Sequence, residues 1–193
     1  MASFAYSSAW LDICNRALAL IGRGTLSSLD DETGDAGLAA AFLPQAVAEC
    51  ASVADWSFLR RSMMLPLATS EVDAFGRYRY QLPSDMDALM DVRTERDNGF
   101  RVEGDLLLTD SSWADVTIRV LPTVPSLLPQ QFQAAVAYNL ASLLSVPLTG
   151  DQTAMQMMSS LATNCLTQLK SADTKAQYTG GTEYWTAQIE GTS

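Results

Sequence analysis

The sequence predicts an α+β protein: an antiparallel helical bundle formed by both chain ends, with a small antiparallel β domain inserted between them. Near both termini, apolar residues recur at steps of three and four, which is the spacing of one helix face. Between these regions, short apolar runs are separated by Pro, Gly, Asn and Asp, as strands and turns are. We place the discontinuous helical domain at residues 6–56 and 126–176, the inserted β-rich domain at 57–125, and an extended C-terminal arm at 177–193.

The first predicted helix ends at a pair of glycines. Its apolar stripe comprises Trp10, Cys14, Ala17, Leu18 and Ile21. The following Gly-Arg-Gly-Thr sequence suggests a phosphate-binding loop, but such loops place glycines after a strand and before a helix. Here a helix precedes the glycines. We therefore predict a helix C-terminus closed by a left-handed glycine, with Arg23 near the negative end of the helix dipole.

A second helix is predicted from about Thr33 to Asp55. Pro44 should bend it, because the proline ring removes a hydrogen bond and crowds the preceding turn. Four acids precede or open this helix, where they can cap it or favour its positive end. They are Asp30, Asp31, Glu32 and Asp35.

The middle of the chain reads as antiparallel strands. The clearest signal is a hairpin that pairs Phe100–Val102 with Leu106–Leu108 across the turn Glu103–Asp105. The sequence "VLPTVPSLLP" then ends the sheet with three prolines.

Two apolar stripes predict the last two helices. The first comprises Phe132, Val136, Leu140 and Leu143, and the second Met155, Met158, Ala162, Cys165 and Leu169. The short link "VPLTGD" between them indicates an antiparallel helix hairpin. Six methionines favour core filling over an adaptable binding surface. They are Met63, Met64, Met90, Met155, Met157 and Met158.

The chain carries 12 Lys and Arg against 22 Asp and Glu, a net charge of −10, which argues against a main role in neutralising nucleic-acid phosphates. The N-terminus lacks a basic region, and Asp12 and Arg16 interrupt its apolar stretch, so we expect no signal peptide. The apolar window Ala36–Ala54 contains Pro44 and Glu49 and favours a buried helix over a membrane span. We expect a soluble protein without a membrane partner.

Residue usage excludes most catalytic chemistry. The chain has no histidine, which removes His-dependent triads and His-based zinc sites, and its three cysteines are far apart on apolar stripes. Two acid pairs, Asp30 with Asp31 and Asp85 with Asp87, suit helix capping and turns better than catalysis. We therefore expect no enzyme activity, no catalytic residue, no cofactor and no metal site.

Five segments, in order, resemble the head-to-tail adaptors of short-tailed bacteriophages, the tail tubular protein A family. They are "ICNRALALIGRGTLSSLDD", "DWSFLRRS", "YRYQLPSDMDALMDV", "FRVEGDLLLTD" and "AVAYNLASLLSVPLTGD", and the resemblance covers roughly Leu11–Ala176. The chain departs from the family in the loop "ETGDAG", which lacks an expected basic residue, and after Tyr178. These departures concern local contacts.

The resemblance implies a virion structural protein at the head–tail junction, assembled in the host cytoplasm. It implies a ring of twelve copies that binds the portal protein above and a tail or nozzle protein below. Genomic DNA would pass through the lumen without specific binding. The negative charge then either prevents the lumen from binding the DNA phosphates or keeps the unassembled protein soluble. Paired arginines in the sheet region favour salt bridges or a solvated face over DNA contacts: Arg60, Arg61, Arg77, Arg79, Arg93 and Arg96.

The last sixteen residues, Tyr178–Ser193, are expected to leave the bundle, because Gly180 and Gly181 should break the final helix. A frayed terminus would lack bulky apolar groups, whereas this segment offers three anchors for a portal or an adjoining subunit. The anchors are Tyr184, Trp185 and Ile189.

Three other functions remain open from the sequence. A tail-associated peptidoglycan hydrolase can work with two carboxylates and no histidine, and Glu49 in its apolar helix is the best acid candidate. A head-completion adaptor of a long-tailed phage or phage-like particle has similar requirements. A small helical module that binds one host protein is compatible with the composition.

Overall fold

A computed structural model describes residues 8–30, 34–69, 72–95 and 99–190, with the backbone alone at Ser8, Ala9 and 177–190. The α-helices within these residues are α1 Ser8–Leu20, α2 Gly34–Ser52, α3 Gln130–Thr149 and α4 Gln152–Glu190. The strands are β1 Arg60–Met64, β2 Tyr78–Gln81, β3 Met86–Thr94, β4 Arg101–Glu103, β5 Leu106–Thr109 and β6 Ala114–Val120. Short 3-10 turns lie at Ser57–Leu59 and Pro125–Leu127. The predicted α+β class is confirmed.

The chain divides into two units. The β unit spans Leu59–Leu121, and the helical unit comprises the described parts of Phe4–Phe58 and Pro122–Ser193. The helical unit is therefore built from two stretches of chain that are separated in sequence by the whole β unit.

Helix α3 is central to the helical unit, since it packs against α1, α2 and α4. Because it is covered by three helices, buried side chains occur around most of its circumference. The largest fully buried residues of this unit are Trp10, Leu18, Leu43, Val47, Trp56, Phe132, Leu140 and Leu144. Leu144 takes the buried position that the sequence assigned to Leu143, which is only half-buried.

Helices α3 and α4 form the predicted antiparallel hairpin, but the link between them is shorter than expected. Helix α3 continues through Pro147, and Gly150 closes it with a left-handed φ of 70°. Asp151 then caps α4, its Oδ1 accepting from the backbone N–H groups of Thr153 and Ala154 at 2.8 and 3.0 Å.

Helix α4 continues to Glu190 and includes Gly180 and Gly181 in its backbone. The prediction that these glycines break the helix is wrong for the backbone that the structure describes. Each glycine lowers the stability of a helix by roughly 1 kcal/mol relative to alanine. The helix therefore continues through two residues that disfavour it.

The β unit contains two three-stranded antiparallel sheets in its described residues, with the orders β1-β6-β3 and β2-β5-β4. Alternation along β6 buries every second residue, as one core-facing sheet surface requires. The core of this unit comprises Leu65, Tyr80, Leu82, Leu107, Ala114, Val116 and Ile118.

The predicted hairpin is confirmed as β4 and β5, with Val102 opposite Leu107. Its turn contains two residues rather than three, because Glu103 pairs with Leu106 as part of the ladder. Gly104 has a φ of 63°, and glycine at the first turn position suits the type II′ turn.

Candidate functional site

The glycine corner after α1 is a helix terminus, as predicted. Gly22 has a φ of 73° and donates its N–H to Ala19 O at 3.1 Å, while the Arg23 N–H reaches Leu18 O at 2.9 Å. This pair of bonds is the Schellman arrangement, which satisfies the last carbonyls of a helix. Because these two N–H groups are bonded to α1, they are not directed at a phosphate.

The loop after the corner is held by Asn15. Its Nδ2 donates to Leu26 O at 3.1 Å, and its Oδ1 accepts from the Leu26 N–H at 2.6 Å. One side chain of α1 therefore satisfies both backbone groups of a loop residue. Asn15, the asparagine of "ICNRALAL", therefore has a structural role, which is to hold this loop against α1.

The two predicted acid pairs do not form a catalytic pair. Asp85 binds Arg61 through two bonds of 2.8 and 2.7 Å, and Asp87, which lies on β3 rather than in a turn, accepts from Arg119 Nε at 2.6 Å. Asp30 accepts a hydrogen bond from Ser28 Oγ at 2.7 Å. Asp31, which was expected to help cap α2, lies outside the described residues.

Glu49 is exposed rather than enclosed by apolar side chains. Its Oε1 accepts from Gln45 Nε2 at 2.8 Å, and its Oε2 accepts from Asn139 Nδ2 at 2.7 Å. A general acid needs a carboxyl that an apolar pocket holds in its protonated form. Glu49 lacks such a pocket, and its bond from Asn139 connects α2 to α3, so Glu49 has a helix–helix role, through hydrogen bonds rather than a salt bridge.

The cysteines show no sign of activation. Burial raises the pKa of the Cys14 thiol to about 12, and burial followed by the Glu49 charge raises the pKa of Cys50 to about 12. Partial burial also raises the pKa of Cys165. A nucleophilic cysteine requires the opposite shift. Within the described residues, no group of three or more His, Cys, Asp or Glu is placed to hold a metal ion.

Three arginines of the sheet region form the expected salt bridges. Arg61 pairs with Asp85, Arg77 with Asp73 and Arg93 with Asp91. Arg79 is half-buried and Arg96 lies outside the described residues.

One turn of the β unit displays a large apolar side chain to solvent. The Phe75 turn, Asp73–Arg77, lies between β1 and β2, and the Phe75 side chain is 83% exposed. The Arg77 guanidinium lies 5.1 Å from the centroid of the Phe75 ring, within reach of a cation–π interaction. The turn therefore offers an aromatic ring and a cation together.

The Phe75 turn is held in shape by the carboxylate of Asp73. Oδ1 accepts from the N–H groups of Phe75 and Arg77 at 2.8 and 2.9 Å, and Oδ2 accepts from Arg77 Nε at 2.9 Å. These bonds, led by the backbone N–H of Arg77, lower the pKa of Asp73. Gly76 completes the turn with a φ of 76°. A preorganised exposed aromatic residue loses little conformational entropy when it binds a partner.

The helical unit contains a cleft of about 250 Å³. Asp12 and Arg16 face it from α1, Gln133 from α3, and the rest of the lining is Ile13, Pro125 and Ser126. Asp12 is the single carboxylate among these lining residues, so the cleft lacks the two facing carboxylates that glycoside hydrolysis requires.

The predicted contact residues Tyr184, Trp185 and Ile189 lie in the backbone of α4. Their side chains are outside the described part of the structure. Tyr184, Trp185 and Ile189 therefore belong to one continuous helix, α4. Helix α4 has 39 residues and α3 has 20, so α4 extends well beyond the start of its antiparallel neighbour.

No described helix is both long and apolar enough to cross a membrane. No protein-family model matches the chain, and no curated protein matches it. Among the described residues, the Phe75 turn is the surface feature that most resembles a binding element.

The Phe75 turn is only weakly marked in the sequence. The only local signal is Asp-Ala-Phe-Gly-Arg, in which a short acid and a glycine are spaced as in a turn. A phenylalanine between strands is otherwise expected to be buried, and turn chemistry alone does not show that its ring is exposed.

Proposed function

We propose that this chain is a bacteriophage head-to-tail adaptor that joins the portal to a short tail as a ring of copies. The observation that carries the proposal is the placement of the five resembling segments. They form α1 with its glycine corner, the passage from the helical unit into β1, the stretch from β2 to β3, the β4–β5 hairpin, and the α3–α4 hairpin. Each segment therefore forms a corner or junction of the fold.

The passage from helices to sheet is built by aromatic packing in "DWSFLRRS". Trp56 stacks on Phe58 at a centroid distance of 5.6 Å, and both rings pack edge-on against Phe132 at 5.9 and 5.3 Å. Trp56 Nε1 also donates to Cys50 O at 3.1 Å. These contacts give the tryptophan and phenylalanine of this segment a structural purpose, which is to join the end of α2 to α3.

The Phe75 turn supports an assembly role, because it presents an exposed aromatic ring. Assembly proteins need such anchors because buried aromatic contacts commonly dominate binding energy. The exposed Phe75 ring belongs to one such contact, with a neighbouring copy or with the tail or nozzle protein. Tyr184, Trp185 and Ile189 on the overhanging part of α4 form another, with the portal or the adjoining subunit.

The charge distribution supports the passage of DNA without specific binding. The helical unit holds half of the 22 acidic residues but only four of the 12 basic ones, Arg16, Arg23, Lys170 and Lys175. A surface with this balance repels phosphates, so a lumen lined by the helical unit would not retard DNA during ejection.

The decisive experiment mixes the purified chain with the portal protein of the same phage and images the product by electron microscopy. We expect a ring of twelve copies beneath the portal, and we expect the chain in purified particles. A chain that stays apart from the portal under all salt conditions, and is absent from particles, contradicts the proposal.

A further inference from the structure

Among the residues that the structure describes, the second sheet of the β unit has one covered edge and one open edge. Beyond β2, the segment Pro66–Ala68 adds two bonds, with Ala68 N donating to Arg79 O at 2.8 Å and Gln81 N donating to Pro66 O at 3.0 Å. At the opposite edge, β4 is bonded to β5 alone in the described ladder. All three residues of β4 are exposed.

The first sheet carries features that discourage pairing at both of its edges. Strand β3 has two register shifts, and bulges of this kind turn an edge away from a flat partner. Strand β1 begins with two adjacent arginines, Arg60 and Arg61, whose like charges disfavour pairing with another copy. Strand β4 is short, but it has neither feature.

The backbone of β4 offers a hydrogen-bonding pair at its centre. Glu103 and Leu106 close a two-residue turn, so they form a hydrogen-bonded pair of the ladder. Because bonding alternates along an antiparallel strand, the N–H and C=O of Val102 point away from β5. No described residue bonds to them from that side, so they can bind a strand added outside β4.

The side chains of β4 are complementary to a second copy of the same strand. Arg101 and Glu103 share one face of the strand, with Arg101 Nε 2.9 Å from Glu103 Oε1. If two copies of β4 pair antiparallel about Val102, Arg101 of each copy lies opposite Glu103 of the other. Opposite charges placed across a strand pair are favourable, and the symmetry supplies this contact twice.

The second copy also covers apolar surface. Val102 lies opposite Leu107, which is fully buried in the core of the β unit, so the face that carries Val102 continues that core to the open edge. Val102 is 43% exposed, and Phe100 directly before the strand is 49% exposed.

We propose that β4 binds β4 of a second copy of this chain, antiparallel and in register at Val102. The two three-stranded sheets then join into one of six strands, with the order β2-β5-β4-β4-β5-β2. The contact is isologous, since each copy presents the same surface to the other. It does not rest on the adaptor proposal.

The test uses charge reversal in the full-length chain, followed by sedimentation velocity over a wide concentration range at low and moderate salt. Arg101→Glu places carboxylates opposite carboxylates, and Glu103→Arg places guanidiniums opposite guanidiniums. Each single variant should bind itself about tenfold more weakly than the native chain, from two lost and reversed charge pairs. The double variant Arg101→Glu/Glu103→Arg should recover native association.

The sharpest result comes from mixing the two single variants. One chain then presents two carboxylates at positions 101 and 103, and the other presents two guanidiniums, so the mixture should associate more tightly than either variant alone. Circular dichroism confirms that each variant is folded. A native chain that remains monomeric at all concentrations, or a mixture that associates no better than its components, overturns the proposal.

Discussion

The guanidinium of Arg23 donates two parallel hydrogen bonds to the carboxylate of Asp35, from Nε to Oδ2 at 2.9 Å and from Nη2 to Oδ1 at 2.8 Å. Arg23 directly follows the glycine that closes α1, and Asp35 lies in the first turn of α2. The bonds from Arg23 lower the pKa of Asp35. Arg23 therefore connects two successive helices, and the left-handed glycine before it sets the direction of the chain.

The first prediction tests this structural reading of the glycine corner. Gly22→Ala should destabilise the fold by roughly 1 kcal/mol, because an alanine is strained at the left-handed φ of 73°. Gly24→Ala is the matched control, since its φ lies outside the left-handed range and a Cβ added there would meet no atom within 4 Å. Urea unfolding of both variants measures the difference. Equal stability of the two would show that Gly22 does not close the helix.

The second prediction concerns the Phe75 turn. Phe75→Ser should leave the thermal midpoint nearly unchanged, because the side chain is 83% exposed, and it should weaken ring or tail assembly. Leu127→Ser is the control, since Leu127 is 78% exposed but lies in the helical unit. Assembly is followed by electron microscopy of particles. Equal losses in both variants would indicate a general effect of surface polarity.

The third prediction is that Glu49 supports structure only. In Glu49→Gln the new amide oxygen can accept from only one of the two donors, Gln45 or Asn139, while its N–H₂ group faces the other donor, so unfolding should become easier by about 1 kcal/mol. Asp30→Asn, at an exposed loop position, should change stability less. Neither the native chain nor either variant should clear a peptidoglycan suspension. Clearing by the native chain that is lost in one variant would support the hydrolase instead.

The fourth prediction follows from the buried thiols. The folded pKa values of Cys14 and Cys50 are raised to about 12 from 9.0, so unfolded chains ionise first as pH rises. Stability from each thiol is complete below pH 9 and should fall by about 1.4 kcal/mol per pH unit between pH 9 and 12. Urea unfolding at several pH values measures this slope.

Cys50→Ala isolates the contribution of one thiol to that slope. In this variant the free energy of unfolding should fall less steeply between pH 9 and 12, by the contribution of Cys50, whatever the effect of the substitution at neutral pH. Cys165→Ala should flatten this fall less, because Cys165 is only partly buried. Identical slopes in the two variants would contradict the assigned burial of Cys50.

Features that depend on local chemistry were predicted well from the sequence. The left-handed Gly22 and the β4–β5 hairpin both involve residues whose backbone preferences are strong. A salt bridge was among the expected roles of Arg61, but its partner Asp85 was expected only as a turn residue. Side chains governed by packing were predicted less well. A single apolar stripe selected Leu143, whereas α3 is covered by three helices and buries Leu144. Met64 and Met157 were expected in the core, yet they are 67% and 60% exposed.

The candidate site was harder to predict than the fold. The sequence pointed to aromatic residues near the C-terminus because two glycines precede them, and it passed over Phe75. Exposure of one phenylalanine depends on how the strands on either side of its turn are placed, and periodicity carries no information on that. The turn itself follows from Asp73, whose carboxylate bonds are local.

The last prediction separates a continuous helix from a glycine break in α4. The backbone is helical through Gly180 and Gly181. Replacing both glycines by alanine should therefore leave the helical signal in circular dichroism nearly unchanged and only stabilise the helix, by up to about 1 kcal/mol per change. A marked rise in that signal would mean that the glycines interrupt the helix of the native chain. If the anchors Tyr184, Trp185 and Ile189 act from a rigid helix, the alanine variant should attach to the portal at least as well as the native chain. Deletion of residues 180–193 should weaken attachment and leave the unfolding transition nearly unchanged. Weaker attachment of the alanine variant would mean that the glycines must bend for the anchors to dock, and native attachment of the truncated chain would remove these residues from the portal contact altogether.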